Sequence, residues 1–95
     1  MRVGKLYSLT PLAKHKRTNP YSPDMFITVY SVDHDNGYHN NFLTYPLDTI
    51  VLVLEVTNRN LKNQVIHHLK RVKILLPNGE FGIIYPILSE WEEVI

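Results

Sequence analysis

The pattern of apolar and polar residues along the chain is typical of β-strands separated by turns. Residues 25–31 (MFITVYS) are rich in β-branched and aromatic side chains, which favours a strand. Residues 41–45 form a second apolar segment. Between the two segments lie Asn36 and Gly37, which tolerate the positive φ of a tight turn. Together these features predict a β-hairpin that ends at Pro46.

Residues 49–57 form the strongest predicted strand, because they are apolar on both faces between Ile50 and Leu54. A strand of this kind is covered on both sides, by the core and by a loop or a partner. The pattern leaves two registers open for the core. In the first register the core consists of Leu6, Ile50, Leu52, Leu54, Val72, Ile74, Leu76, Ile83 and Val94. In the alternate register Val51 and Val53 point inward instead of their neighbours.

The remaining segments complete an all-β chain. Residues 3–9 alternate and predict an opening strand. Residues 71–76 and 81–85 predict a second hairpin across a tight turn at 76–80. Gly82 allows a bulge or the close approach of another backbone. The chain then ends with one 3₁₀ turn and a short strand, at residues 87–91 and 92–95.

A long surface loop is predicted between the opening strand and the first hairpin. Prolines at 11, 20 and 23 disfavour both a regular ladder and a helix in this part of the chain. The same part carries a polar run at residues 14–20, which is typical of solvent-exposed loops. We therefore expect residues 11–48 to form an extended loop that carries the hairpin as an insertion.

The C-terminal sequence resembles a known group of proteins. Residues 72–85 (VKILLPNGEFGIIY), followed by 91–95 (WEEVI), resemble the ending of many short proteins encoded by tailed bacteriophages. The order of the elements in residues 1–10 and 49–95 looks like a Src-homology-3-like small β-barrel. The resemblance implies one all-β domain over residues 1–95, a small Src-homology-3-like barrel with an inserted β-hairpin in its first long loop.

The resemblance does not extend to peptide binding. The signalling barrels of this type bind proline-rich peptides with the help of acidic residues in the first loop. Here the early part of that loop is basic, with the sequence KHKR at residues 14–17, and the inserted hairpin makes the loop longer. We therefore expect no binding of proline-rich peptides.

The composition narrows the classes of function. The chain has 95 residues, the length of one domain, and a net charge of +1, which gives no general attraction to nucleic acid or to membranes. It contains no cysteine, which excludes disulfide scaffolds and thiolate metal sites. The longest strongly apolar stretch, residues 50–54, is too short to span a bilayer. We expect a protein of the virion or the host cytoplasm that does not enter a membrane.

Candidate catalytic and metal-binding residues have structural explanations. Four possible metal ligands lie close together in the sequence: Asp33, His34, Asp35 and His39. They flank the turn at Asn36, where Asp and Asn are favoured for turn geometry alone. The sequence contains no serine in a glycine-flanked elbow and no glycine-rich phosphate loop. We therefore predict that the protein is not an enzyme and that it has no cofactor and no metal site.

The aromatic residues indicate a protein-binding surface. Six Tyr, three Phe and one Trp are more rings than the core of one small barrel can enclose, and aromatic residues are favoured at interfaces. The inserted hairpin is apolar on both faces and needs a surface to lie on, because an isolated hairpin is only marginally stable in water. The predicted protein-interface residues are Met25, Phe26, Ile27, Val29, Tyr30, Phe42, Leu43 and Tyr45. The pattern leaves open whether the hairpin packs on a neighbouring subunit or on its own barrel.

Two functions follow from these patterns. The first is a non-enzymatic structural or adaptor protein that packs against protein subunits of a larger assembly, further copies of itself included. The resemblance implies a minor component of a phage head, neck or tail. The alternative is a small nucleic-acid-binding or regulatory phage protein that uses its basic groups. The predicted nucleic-acid contacts are Lys14, Lys16, Arg17, Lys70, Arg71 and Lys73.

Overall fold

The computed structural model describes residues 1–18, 26–32, 42–58 and 70–95. The elements in these ranges are β1 (Leu6–Leu9), α1 (Pro11–Thr18), β2 (Ile27–Tyr30), β3 (Phe42–Tyr45), β4 (Val51–Asn58), β5 (Lys70–Leu75), β6 (Phe81–Ile84), a 3₁₀ turn (Leu88–Glu90) and β7 (Trp91–Glu93). The strands form one seven-stranded antiparallel sheet in the order β3-β2-β6-β5-β4-β1-β7. The all-β prediction is confirmed for the described residues, with one short helix added.

Both predicted hairpins are present. β2 and β3 pair in continuous register, from Ile27 opposite Tyr45 to Tyr30 opposite Phe42. The connecting turn predicted at Asn36 and Gly37 lies outside the described residues. β5 and β6 pair as the second predicted hairpin.

The turn between β5 and β6 follows from its local sequence. The Leu76 N–H donates to the Glu80 carbonyl at 2.8 Å, and the Gly79 N–H donates to the Leu76 carbonyl at 2.9 Å. Gly79 has a φ of +85°, a conformation that favours glycine because a Cβ would be strained there. The Asn78 side-chain oxygen accepts the Glu80 N–H at 3.0 Å. The tight turn predicted at residues 76–80 is therefore confirmed.

The helix α1 corrects the loop predicted for residues 11–18. Pro11 is the first helical residue, a position where the missing proline N–H is not needed and the fixed φ is already helical. Thr10 caps the helix. Its side-chain oxygen accepts the Ala13 N–H at 3.1 Å, and its carbonyl accepts the Lys14 N–H at 3.0 Å. Because Ala13 is buried in the core, α1 covers the inner face of the sheet.

The core follows the alternate register of β4. Val51 and Val53 are fully buried, whereas Leu6 is 43% and Ile50 is 39% exposed. The core cluster consists of Tyr7, Leu9, Ala13, Ile27, Val29, Val51, Val53, Val72, Ile74, Leu76, Ile84 and Trp91. The first register is therefore wrong for the five residues that are not buried: Leu6, Ile50, Leu52, Leu54 and Val94. It is right for Val72, Ile74 and Leu76, which both registers share.

A β-bulge changes which side of β4 faces the core. The pairing with β5 shifts between Val53 and Glu55, so Leu54 is an extra residue in β4. In a regular strand without the bulge, alternation from Val53 would point Leu54 outward and Glu55 into the core. With it, Glu55 is exposed and the next residue, Val56, packs against the core cluster.

The side chains that alternate with the core residues project from the opposite side of the sheet, which we call the outer face. Ile83 belongs to this face, because its neighbour Ile84 lies in the core cluster and Ile83 does not. Ile83 is nevertheless only 1% exposed. Its predicted burial is therefore confirmed, but on the outer face. This second apolar face positions the candidate functional site.

Candidate interaction surface

Four apolar residues form a row across the outer face, which we call the outer row: Leu6, Leu52, Leu75 and Phe81. Leu6 of β1 lies opposite Leu52 of β4. Leu52 in turn lies opposite Leu75 of β5, and Leu75 lies opposite Phe81 of β6. Directly opposed residues of an antiparallel pair project from the same face and lie side by side. Leu6 is 43% and Phe81 is 57% exposed, and the two residues between them are half-buried. The outer row therefore presents apolar surface to solvent across four strands.

A cluster of aromatic rings continues this surface toward the β2–β3 hairpin. The Tyr30 ring centroid lies 5.9 Å from that of Phe42 and 5.4 Å from that of Tyr85. Both pairs are tilted rather than stacked face to face, which is the favoured geometry. Tyr30 lies opposite Ile83, the buried residue of the outer face. We call Tyr30, Phe42, Ile83 and Tyr85 the ring cluster.

A cavity of about 350 Å³, which we call the hairpin cavity, lies between the β2–β3 hairpin and the β5–β6 turn. Its lining residues are Val29, Tyr30, Ser31, Phe42, Leu43, Tyr45, Leu76, Glu80 and Phe81. Glu80 is the one charged residue in this lining, and its carboxylate accepts a hydrogen bond from the Tyr45 hydroxyl at 3.4 Å. Phe42 belongs to the ring cluster and Phe81 to the outer row, so the cavity joins the two. The outer row, the ring cluster and the hairpin cavity together form what we call the contact surface.

Two cations border the contact surface. The Lys73 ammonium lies 5.4 Å from the centroid of the Phe81 ring, which is a cation–π contact. Lys73 also lies opposite Glu55 in the pairing of β4 with β5. The Arg71 guanidinium donates to the Val32 carbonyl at 3.0 Å. Both cations are therefore held by contacts within the chain.

The position of the hairpin depends on Gly82. The Cγ1 atom of Val29 occupies the space that a Cβ atom at Gly82 would need. Val29 is 4% exposed and packs in the core cluster, so it has little room to move away. The close approach predicted at Gly82 is confirmed, and it lets β2 pair with β6 where Tyr30 lies opposite Ile83.

A second cavity, of about 340 Å³, lies between β2, the end of α1 and the segment that connects β6 to β7. Its lining residues are Arg17, Phe26, Ile27, Thr28, Tyr30, Ile84, Tyr85, Pro86, Ile87 and Trp91. The Arg17 guanidinium donates to the Glu90 carboxylate at 2.7 Å, and the two side chains are only 20% and 22% exposed. This half-buried ion pair joins the end of α1 to the 3₁₀ turn and thereby fixes one wall of the cavity.

The structure moves two of the predicted interface residues into the core. Ile27 and Val29 are 2% and 4% exposed and belong to the core cluster. The hairpin thus packs on its own sheet with this face, which was one of the two alternatives left open by the sequence. Because a partner cannot reach these side chains, their assignment to an interface is corrected.

The other predicted interface residues lie at the surface or near it. Phe26 is 52%, Phe42 is 46% and Leu43 is 61% exposed. Two half-buried residues line the hairpin cavity: Tyr30 and Tyr45. Met25 lies outside the described residues. The contact surface therefore retains part of the predicted set, on the outer face and at the edge of the sheet.

The six predicted nucleic-acid contacts are not brought into one patch. The helix carries Lys14, Lys16 and Arg17, and β5 carries Lys70, Arg71 and Lys73. The helix covers the inner face of the sheet, whereas Arg71 and Lys73 alternate with the core residues of β5 and project from the outer face. Arg17 is engaged by Glu90. Arg71 and Lys73 therefore lie on the side of the sheet opposite the helix, whereas Lys70 alternates in phase with the core residues Val72 and Ile74.

The outer row is the part of the contact surface that the sequence analysis does not identify. The first register places Leu6 and Leu52 in the core, and Phe81 is predicted only as a strand residue. Residues 50–54 nevertheless give an indication of the outer row. They are apolar on both faces, which predicts that both faces of this strand are covered by other residues or by a partner. The pattern alone does not say which of the two faces remains uncovered.

The described residues contain no group of three or more His, Asp or Glu side chains that could hold a metal ion. The possible ligands Asp33, His34, Asp35 and His39 lie outside the described residues. No helix in the described ranges is long and apolar enough to cross a membrane. Comparison with protein-family models, with curated proteins and with solved structures found no match.

Proposed function

We propose that this chain is a non-enzymatic structural or adaptor protein that packs against neighbouring protein subunits through its contact surface. The observation that carries the proposal is the outer row, in which Leu6 and Phe81 are 43% and 57% exposed on the face opposite the core. Covering the exposed half of one such side chain is worth about 0.7–1.5 kcal/mol before the costs of association. The hairpin cavity adds a concave, aromatic-lined site beside the row, which suits an apolar side chain of a partner.

The architecture we propose is a Src-homology-3-like barrel. The opening and closing strands of such a barrel pair with each other, and here β1 pairs with β7 at Tyr7 and Glu93. The remaining strands of the resemblance follow as neighbours in the order β1-β4-β5-β6. The 3₁₀ turn immediately before β7 also fits this architecture. These features support the proposal, although β3 and β7 are the two edges of an unclosed sheet.

The setting we propose is a phage virion, where the chain would be a minor component of the head, neck or tail. This part of the proposal is supported by the resemblance of residues 72–85 and 91–95 to short proteins of tailed bacteriophages. A subunit of a particle needs surface for its neighbours on more than one side. The outer row and the edge of the sheet at β3 provide such surface.

A photo-crosslinking experiment tests the proposal at one residue. Phe81 is replaced by benzoylphenylalanine, an aromatic residue that keeps the apolar character of the position. The protein is then irradiated in the cells in which it is naturally made. We expect a covalent adduct with a protein subunit, because Phe81 is central to the contact surface. Lys16, which is exposed on α1 at the other side of the sheet, carries the same label in the control and is expected to give no such adduct.

The outcomes separate the two functions. A protein adduct from position 81 and none from position 16 supports the proposed function. Failure of position 81 to crosslink to any protein, although the labelled chain is folded by circular dichroism, refutes it. An adduct between position 16 and nucleic acid refutes it as well and favours the nucleic-acid-binding alternative.

A further inference from the structure

The edge of the sheet at β3 has backbone groups that are unpaired among the described residues. In the described part of the chain, β3 pairs with β2 on one side and has no strand on the other. An antiparallel edge strand directs half of its N–H and C=O groups away from its neighbour. Within the described residues, no backbone hydrogen bond runs outward from residues 42–45. The chemical partner for such an edge is another extended strand.

The two edges of the sheet differ in how they are protected. At the other edge, β7 has only three residues and two of them are charged, Glu92 and Glu93. The Glu93 carboxylate also accepts a hydrogen bond from the Arg2 guanidinium at 2.8 Å, and this contact raises the pKa of Arg2. Short length and charged side chains are devices that keep a sheet edge from pairing with another chain. The β7 edge is therefore protected from pairing with a strand of another chain.

The β3 edge is also short, with four residues, but it has none of the other devices. Its sequence, FLTY, contains no charge and no proline, and its register with β2 continues through four pairs without a bulge. Phe42 is 46% and Leu43 is 61% exposed, so apolar side chains stand beside the unpaired backbone groups. An uncharged and exposed apolar edge of this kind is expected to be covered when the protein is in its working state.

We propose that β3 pairs antiparallel with the β3 strand of a second copy of this chain, so that two sheets join across a two-fold axis. This inference rests on the proposed function, because it names a second copy as one of the neighbouring subunits. The two-fold axis stands perpendicular to the sheet and brings together residues of the same face. Two of the registers that satisfy this condition pair three residues of each four-residue strand. In one, Leu43 lies opposite Leu43 of the second copy, and in the other Thr44 lies opposite Thr44.

A second copy suits this edge better than a charged foreign segment. β2 and β3 together contain no charged residue, so two copies approach without local repulsion. The net charge of +1 per chain adds little repulsion at longer range. Each copy also offers the same set of outward donors and acceptors, so one strand satisfies the other in an isologous contact. Pairing covers Phe42 and Leu43 with equally apolar residues of the second copy.

Two lysine substitutions at the edge test the proposal, with a matched control one strand further in. Leu43→Lys and Thr44→Lys each place like charges opposite each other in one of the two registers. Thr28→Lys is the control, because Thr28 is also exposed and lies directly opposite Thr44 on the same face. Molar mass is measured by light scattering and analytical ultracentrifugation over a wide concentration range. Circular dichroism establishes that each variant is folded.

We expect the unmodified protein to form a dimer as its concentration rises, and the control to form the same dimer. At least one of the edge variants is expected to weaken the dimer by about tenfold, because the symmetry doubles the effect of each substitution. Hydrogen exchange gives a second readout that depends on the backbone. Amides of residues 42–45 become slower to exchange as the dimer forms, whereas amides of β7 do not change.

A monomer at every concentration overturns the inference, and so does a dimer that both edge variants leave intact. The crosslinking result at Phe81 distinguishes this failure from failure of the proposed function. If the chain is monomeric and position 81 still crosslinks to a different protein, the self-pairing is wrong and the proposed function stands. If the same label placed at Leu43 captures a different protein while the chain stays monomeric, the edge receives a foreign strand and the second copy is excluded.

Discussion

The Gly82→Ala substitution adds one methyl group at a point that is already filled. The new Cβ atom would collide with the Cγ1 atom of Val29, which is fixed in the core. Overpacking of this kind destabilises a protein by about 1–3 kcal/mol. The backbone itself accepts alanine, because Gly82 is not among the glycines with positive φ. The lower entropy of the unfolded alanine chain offsets the collision by about 0.4–1 kcal/mol.

A double-mutant cycle isolates the collision from other effects of the methyl group. Val29→Ala removes the Cγ1 atom and leaves a small cavity, which lowers the free energy of unfolding by about 2 kcal/mol. In this background Gly82→Ala no longer meets an obstacle, and we expect it to stabilise the protein by about 0.4–1 kcal/mol through the lower entropy of the unfolded chain. The coupling energy between the two substitutions is therefore expected to be about 1–3 kcal/mol.

Urea unfolding measures these free energies, with far-ultraviolet circular dichroism and the fluorescence of Trp91 as probes. Trp91 is the only tryptophan and is 9% exposed, so its emission reports on the core. Gly79→Ala is the matched control, because Gly79 has a φ of +85° and open space around the missing Cβ. It should cost about 1 kcal/mol in both backgrounds. Equal costs of Gly82→Ala with and without Val29 would refute the packing of the hairpin on β6.

Two further pairs of substitutions probe elements that the sequence left ambiguous. Thr10→Ala removes the cap of α1 and should lower the free energy of unfolding by about 1 kcal/mol, whereas Thr18→Ala, at the exposed end of the helix, should have a small effect in the same urea titration. Val53→Ala should cost about 2 kcal/mol, because Val53 is fully buried. Leu52→Ala should cost less than half of that and should weaken the binding of an apolar fluorescent dye. A larger loss for Leu52 than for Val53 would mean that the first register is correct.

Local sequence was sufficient for the strands and for the turn between β5 and β6. Asn78 and Gly79 satisfy the turn within a few residues, because one side chain accepts a backbone N–H and the other residue tolerates positive φ. The pairing of β2 with β3 and the 3₁₀ turn before β7 also follow from patterns confined to short segments. Each of these features lies within one turn or between two strands that follow each other along the chain.

Pro11 and the strand β4 show where local patterns were ambiguous. Proline disfavours the interior of a helix but favours its first position, and the choice was made by the cap at Thr10 and the burial of Ala13. In β4 both alternating sets of residues are apolar, so either face could have been buried. The bulge at Leu54 and the pairing with β5 selected the inward valines.

The candidate site was also predictable only in part, because the local pattern does not show which apolar residues are buried. The apolar hairpin and the apolar strand β4 indicated from sequence alone that the chain has more apolar surface than one core can bury. Which residues remain outside depends on contacts between distant segments, such as Val29 against Gly82 and Leu75 opposite Phe81.

The amino-acid sequence by itself determined the positions of the strands, the tight turn and the exclusion of disulfides. The tertiary structure decided the helix α1, the face of the sheet that forms the core, and the exposure of the outer row and the β3 edge. The physical reason is that local conformational preferences act over a few residues and are small, whereas burial depends on which strands pair and in which register.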